Sequence, residues 1–278
     1  MATTIISAST RWPTGSPTTS GFGRRSAVTI PTRSWIRLRC VARSHASART
    51  SPAPYFIVRT AISNPLRLLR ALAGAVRGRG GVVCTGTPAD AVEVDDHGYR
   101  VRTPGGGIVD SDRVVLCAGL GNARLGPSLG FSAPLRPQRG QNLITEKLPP
   151  LIHRPSAILR QVDEGEVQIG DSKEEVGYDE ATTLDVSAGI AARAVRIYPE
   201  LARVRINRSW AGLRILSPDG LPIYQQSPSH RGAFLVSCHS GITLGAAHAR
   251  LLPRWLEGHS DAPDLEAFSE SRFALPAA

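Results

Sequence analysis

Two groups of residues able to do chemistry lie in the stretch Ser209–Leu256. Arg214 closes Ser209-Trp210-Ala211-Gly212-Leu213-Arg214, which reads as a strand, and His239-Ser240-Gly241-Ile242-Thr243 follows the apolar run Ala233–Cys238. An arginine on a rigid strand presents a planar fork of N–H donors that matches a carboxylate. A glycine-containing corner that opens a helix presents unpaired backbone N–H groups and the positive end of the helix dipole. The chemistry implied is capture of a small anion at Arg214 and of an electron-rich group at the corner. No obvious catalytic dyad accompanies them. His239 has two readings of similar weight, a structural hydrogen-bonding histidine or a direct catalytic part.

The elements that must position these groups can be read from pattern and punctuation. Asn64-Pro65 starts a helix with Leu66, Leu69, Leu72, Ala73 and Val76 on one face, and Gly80-Gly81 ends it. Val82–Cys84 reads as a short buried strand. Ala91–Val94 and Tyr99–Arg102 alternate around Asp95-Asp96-His97-Gly98, a hairpin signal. Asp112–Gly119 is a continuous apolar strand ending in Ala118-Gly119, the pattern of a parallel strand buried on both faces. Gly119-Leu120-Gly121 fails the dinucleotide fingerprint, because the third glycine would fall at Arg124. Ala157–Val162 and Glu166–Gly170 flank a turn at Asp163-Glu164-Gly165. Thr182 or Thr183 caps a helix with Leu184, Ala188, Ala191, Val195 and Tyr198 on its stripe, and Pro199 stops it. Arg203–Ile215 alternates as a long strand carrying Arg214. Thr243–Leu256 is the last helix, and the sequence from Gly258 is a polar tail.

Charge and cysteine usage narrow the class. The net charge is +10, but residues 1–89 contain 13 Arg and no Lys, Asp or Glu. The remaining 20 basic and 23 acidic residues make the body slightly acidic, which argues against a nucleic-acid binder. Cys40, Cys84, Cys117 and Cys238 show no CxxC spacing or metal-ligand grouping, so no metal site is expected, and Cys84 and Cys117 read as reduced core residues. No apolar run reaches the roughly 18 residues of a membrane span. A soluble, cytoplasmic protein is the resulting expectation. Residues 1–60 are rich in Ser, Thr, Arg, Pro and Gly without sustained period, and are expected to be disordered.

SWAGLRILSPDGLPIY and FLVSCHSGITLGAAHARLL, with LRPQRGQ at Leu135–Gln141 and IGDS at Ile169–Ser172, resemble FAD-dependent oxidoreductases of the D-amino-acid oxidase superfamily. The resemblance covers roughly Asn64 to Leu256 and leans to the glycine oxidase, opine oxidase β-subunit and cyanide-forming glycine dehydrogenase side. It implies an α/β (α+β) protein: a partial Rossmann-like FAD-binding domain over 63–134 with a return at 225–257, an antiparallel-sheet substrate domain over 135–224, a disordered or non-native leader over 1–62 and a tail over 258–278. The implied reaction is oxidation of the C–N bond of an amino acid or secondary amine to an imine, with FAD as hydride acceptor. By resemblance Arg214 holds the substrate carboxylate, the other reading being an arginine in a surface or structural ion pair; Val92, Ala118, Gly119, Asn122, Gly140 and Gln141 line the cofactor, Ala118-Gly119 being otherwise a plain strand end with a turn; and His239, Ser240, Gly241, Ile242 and Thr243 run under the flavin. A second subunit of a heteromeric oxidase is implied as partner. Glycine oxidase has a tyrosine where this chain has Ile158, which counts against free glycine as substrate. Tyr224 and Gln225 either shape the pocket or sit at a rim or interface. Family members open with a Gly-x-Gly-x-x-Gly turn followed by an acidic residue; nothing before Asn64 has that form, and the first acidic residue is Asp90. The expectation is therefore a copy without that opening, its leader out of frame or wrongly started rather than a transit peptide, and weak FAD binding. The alternative is a non-catalytic, FAD-deficient homologue that acts at most as an interaction subunit.

Overall fold

The computed structural model describes residues 62–274, so the leader expected over 1–62 lies, but for Ile62, outside the described residues. In chain order the elements are α1 (Pro65–Gly78), β1 (Ala91–Asp95), β2 (Gly98–Arg102), β3 (Ile108–Ser111), β4 (Val114–Leu116), α2 (Asn122–Leu125), β5 (Arg136–Lys147), β6 (Leu159–Gln161), β7 (Glu166–Ile169), α3 (Leu184–Ile197), β8 (Ile206–Leu216), β9 (Ile223–Gln226), β10 (Ala233–Ser237) and α4 (Gly245–Glu257). The described residues divide into two units, one over 76–136 and 215–274, the other over 62–75 and 137–214.

In the first unit, β1, β2 and β3 form an antiparallel meander. Its first turn is the one expected, with Asp95 opposite Gly98 and Gly98 at φ +128°. A side chain at Gly98 would meet the Ser111 carbonyl at 2.6 Å, so both conformation and space require glycine there. The second sheet has the order β4-β10-β9. β4 runs parallel to β10 with Val114, Val115 and Leu116 opposite Ala233, Phe234 and Leu235, and all six are buried, as the two-sided apolar run required. Val92, Tyr99 and Val101 of the meander share one core with Val114, Leu116, Leu129, Phe131 and Leu235.

The second unit is a four-stranded sheet of order β6-β7-β5-β8. The hairpin β6–β7 forms where Asp163-Glu164-Gly165 predicted it, with Gly165 at φ +102°. Leu143, Leu159, Val167 and Ile169 bury one sheet face against Ile190 and Ala194 of α3. Glu146 N–H bonds to Arg205 O at one end of β5, and Arg214 reaches Arg139 O at the other, so β5 and β8 run antiparallel.

Several sequence expectations need correction. Val82–Cys84 is an exposed loop, not a buried strand, and Cys84 is exposed; three apolar residues with no partner strand among the described residues cannot sustain a ladder. The buried stripe of α3 runs through Ile190 and Ala194, whereas Leu184 is 83% exposed. The last helix starts at Gly245, two residues late, because Ser240–Leu244 forms turns first. The sequence after Gly258 is not a loose tail: Glu270 accepts the N–H groups of Ser132 and Ala133, and Arg272 pairs with Asp219. Asn64 does cap α1, accepting from Leu66 N–H at 3.1 Å and Arg67 N–H at 3.2 Å, yet the Leu66–Val76 face is exposed.

Candidate active site

Arg214 and its surroundings lie in the sheet of the second unit. Side chains alternate across a strand, so Trp210, Gly212 and Arg214 of β8 share a face, as do Gly140 and Asn142 of β5. These residues, with Leu213, line a cavity of about 220 Å³ on the sheet face opposite α3. Arg214 is held there by three hydrogen bonds. Its Nη1 donates to Ser172 O at 2.8 Å and Arg139 O at 3.2 Å, and its Nη2 donates to Asp171 Oδ2 at 2.7 Å. The guanidinium lies flat on Gly140: a Cβ at that position would stand 2.5 Å from both Nη atoms and 2.6 Å from Cζ. The side chain keeps 20% of its surface exposed. A polar row extends across the same face, Arg160 Nε donating to Gln168 Oε1 at 2.6 Å and Gln168 Nε2 to Asn142 Oδ1 at 3.3 Å.

Gln141 points the other way. It is fully buried, its Oε1 accepting from Thr183 N–H at 3.0 Å and its Nε2 donating to Glu174 at 3.1 Å and Thr183 Oγ1 at 3.1 Å. It thus satisfies the start of α3, which Thr183 itself does not cap. Arg139, also buried, pairs with Glu174 at 2.7 Å and with Asp179. Glu174 is held below the usual carboxylate range first by the Arg139 hydrogen bond and then by Ser172 and Gln141, against the opposing effect of its burial. The segment Ser172–Glu174 is therefore pinned, and the adjoining Asp171 with it.

The corner lies in the first unit. β10 ends at Ser237, and Cys238, His239 and Ser240 lead into turns. His239 is exposed and its Nδ1 lies 3.2 Å from Ser240 Oγ. Among the described residues, the backbone N–H groups of Gly241, Ile242 and Thr243 make no hydrogen bond, and Ile242 is 47% exposed. Ser237 Oγ is the one buried side-chain oxygen or nitrogen without a partner among the described residues. Cys238 has its thiol pushed up by burial. Nearby in the fold, Ala118 is buried and Gly119 takes φ +61°, where a Cβ would meet Ile215 Cδ1 at 2.9 Å. Asn122 is fully buried; its Oδ1 accepts from Ala118 N–H at 2.9 Å, so its side chain fixes the strand end. Val92 is a core residue of β1.

The structure therefore collects Arg214 and Gly140 on one face, leaves the 239–243 backbone open, and gives Gln141, Asn122 and Val92 buried packing partners. Tyr224 is likewise internal, its hydroxyl 2.6 Å from His248 Nε2 and its pKa pushed up to about 12 by burial. Sequence reasoning quoted Asp171 within the IGDS motif but gave it no role, and it did not link Arg160, Gln168 and Asn142 into a row. The period of two along β5 was the available signal, since it separates Gly140 and Asn142 from Gln141.

The chain belongs to the FAD dependent oxidoreductase family, whose model matches residues 19–255. It is 40% identical over 210 residues to an opine oxidase subunit from Agrobacterium tumefaciens (strain Ach5), covering 76% of this chain and 56% of that protein. It is 33% identical over 221 residues to hydrogen cyanide synthase subunit HcnC of Pseudomonas aeruginosa, covering 76% and 52%. Among solved structures, glycine oxidase from Geobacillus kaustophilus superposes with a TM-score of 0.68 at 26% identity, over 74% of this chain and 57% of that one. The chain thus spans about half the length of the curated relatives it matches. FAD is the cofactor of the family. Three backbone N–H groups without a hydrogen bond among the described residues and an unpartnered buried hydroxyl mark the corner, a donor set that suits an electron-rich group; the described residues contain no Gly-x-Gly-x-x-Gly turn. No helix among them is long and apolar enough to cross a membrane.

Proposed function

We propose that this chain takes part in FAD-dependent oxidation of the carbon–nitrogen bond of an amino acid or secondary amine, giving an imine. The observation that carries this reading is Arg214, exposed to a cavity on a sheet face and seated on a glycine, in a family whose cofactor is FAD. Arg214 uses three of its five N–H donors on the protein, and the remaining two, Nε–H and one Nη2–H, have no partner among the described residues and are available to a carboxylate. That contact would fix the substrate's Cα in one orientation, which is the protein's main contribution in such chemistry. FAD, when bound, supplies the hydride acceptor. The N–H groups of Gly241, Ile242 and Thr243 would hold an electron-rich edge of the ring and favour negative charge on it, while the bare backbone at Ala118-Gly119 allows close approach. His239, exposed beside Ser240, is a rim residue on this reading. Relatives named as subunits support a heteromeric assembly with a second chain.

The test is the visible spectrum of the purified chain before and after addition of FAD and desalting. Retained flavin bands, bleached anaerobically by an amino acid or a secondary amine dicarboxylate but not in Arg214→Ala, are the expected result. Flavin retained by wild type and bleached equally well in Arg214→Ala would refute the role given to Arg214. No retained flavin would favour the FAD-deficient interaction subunit.

A further inference from the structure

The Arg214 guanidinium does not face its cavity as a free cation. Asp171 Oδ2 accepts from Nη2 at 2.7 Å, and the Asp171 side chain keeps 38% of its surface exposed. Its second oxygen, Oδ1, has no hydrogen bond among the described residues. The position is fixed from both sides. Gly170 N–H bonds to Ile158 O at 2.8 Å, the Asp171 carbonyl accepts from Arg193, and Ser172 Oγ accepts from Gln141 N–H at 2.8 Å. The backbone on both sides of Asp171 is thus held, and its carboxylate is placed against Arg214 at the edge of the cavity-lining residues.

We infer that Asp171 is a specificity-determining residue, the acceptor for the ammonium group of a zwitterionic substrate whose carboxylate binds Arg214. The inference rests on the carboxylate-binding role proposed for Arg214. A plain anion approaching the two free donors of Arg214 meets a cation already paired with a carboxylate. It must also come within a few ångströms of that like charge, where repulsion in a partly exposed site is strong enough to offset much of the attraction. An amino acid or secondary amine acid carries its positive charge two bonds from its own carboxylate carbon, within reach of Asp171 Oδ1. It completes an alternating row: Asp171, ammonium, substrate carboxylate, Arg214. The substrate class is therefore an α-amino or N-substituted α-amino acid in its zwitterionic form. Hydroxy acids, keto acids and simple carboxylates are rejected by charge, not by shape.

An isosteric pair tests this without flavin turnover. Iminodiacetate and diglycolate differ only in a charged NH₂⁺ against an ether oxygen. Titrated into the full chain and followed by calorimetry or amide chemical shifts, iminodiacetate is expected to bind about tenfold or more tightly than diglycolate, the ratio one lost charge contact commands. Asp171→Asn keeps an acceptor for Arg214 and is expected to bring the two affinities together, whereas Arg214→Ala loses both ligands. The wild-type comparison needs no variant to fold. Equal affinities in wild type, with Arg214→Ala losing both, overturn the Asp171 role and leave the Arg214 reading standing. Undiminished binding by Arg214→Ala, or no saturable binding of iminodiacetate by wild type at millimolar concentration, overturns both.

Discussion

Gly140→Ala is the most informative single substitution in this chain. The added methyl would sit 2.5 Å from both terminal nitrogens of Arg214, about 1 Å inside ordinary van der Waals contact. Arg214 cannot yield by that amount without losing its partners, because its bonds to Ser172 O, Arg139 O and Asp171 are 2.8, 3.2 and 2.7 Å long. A displacement of about 1 Å takes them past hydrogen-bonding range. Each bond to a charged group is worth about 1.5–3 kcal/mol, less here because water reaches the exposed part of the side chain. Misplacing the fork should therefore weaken binding of a carboxylate ligand by about 2 kcal/mol, close to 30-fold. The assay is titration of iminodiacetate into wild type and Gly140→Ala, with thermal unfolding recorded in parallel to establish that the variant is folded. A folded Gly140→Ala that binds the ligand as tightly as wild type would refute the face-on packing of Arg214 and the positioning role given to this glycine.

Gly189 gives the opposite expectation. It lies exposed inside α3 with nothing within 4 Å of an added Cβ, so Gly189→Ala should raise stability by about 0.5–1 kcal/mol without altering ligand binding, as read from denaturant unfolding. Asp219 controls the C-terminal segment. Arg272 first, against the opposing effect of burial, and then Leu221 N–H and Ser217 Oγ hold its carboxyl well below the usual carboxylate range. A lowered folded-state pKa means that the stabilisation is complete above the unfolded value near 3.9 and is lost as pH falls through the folded value. Asp219→Asn should therefore cost about 1 kcal/mol at pH 7, the pair being partly exposed. The wild-type and variant unfolding midpoints should draw together as pH falls below the unfolded value near 3.9 and meet only at the much lower folded value, and cleavage after Gly258 by limited proteolysis should quicken in the variant.

Much of the fold is legible in local sequence because local physics decides it. The Asn64 cap, the two-residue turn before Gly98, the Gly165 turn and the break at Pro199 each follow from backbone preferences that need no partner. The apolar run at Asp112–Gly119 announced a strand buried on both faces, and family motifs singled out Arg214 and the 239–243 corner. What local pattern could not decide was who packs against whom. Helix α3 has apolar residues on more than one side, and only the sheet selected Ile190 and Ala194 over Leu184. Gln141 and Gly140 are neighbours in sequence, yet the pleat of β5 sends one into the buried start of α3 and leaves the other as the seat of Arg214. Asp171 lies 43 residues from Arg214 along the chain, and nothing in its immediate sequence marks it as a charge partner. The sequence singled out an arginine whose planar fork suits a carboxylate; tertiary structure set the Asp171 carboxylate beside it, because the fold, not chain order, determines which charges meet.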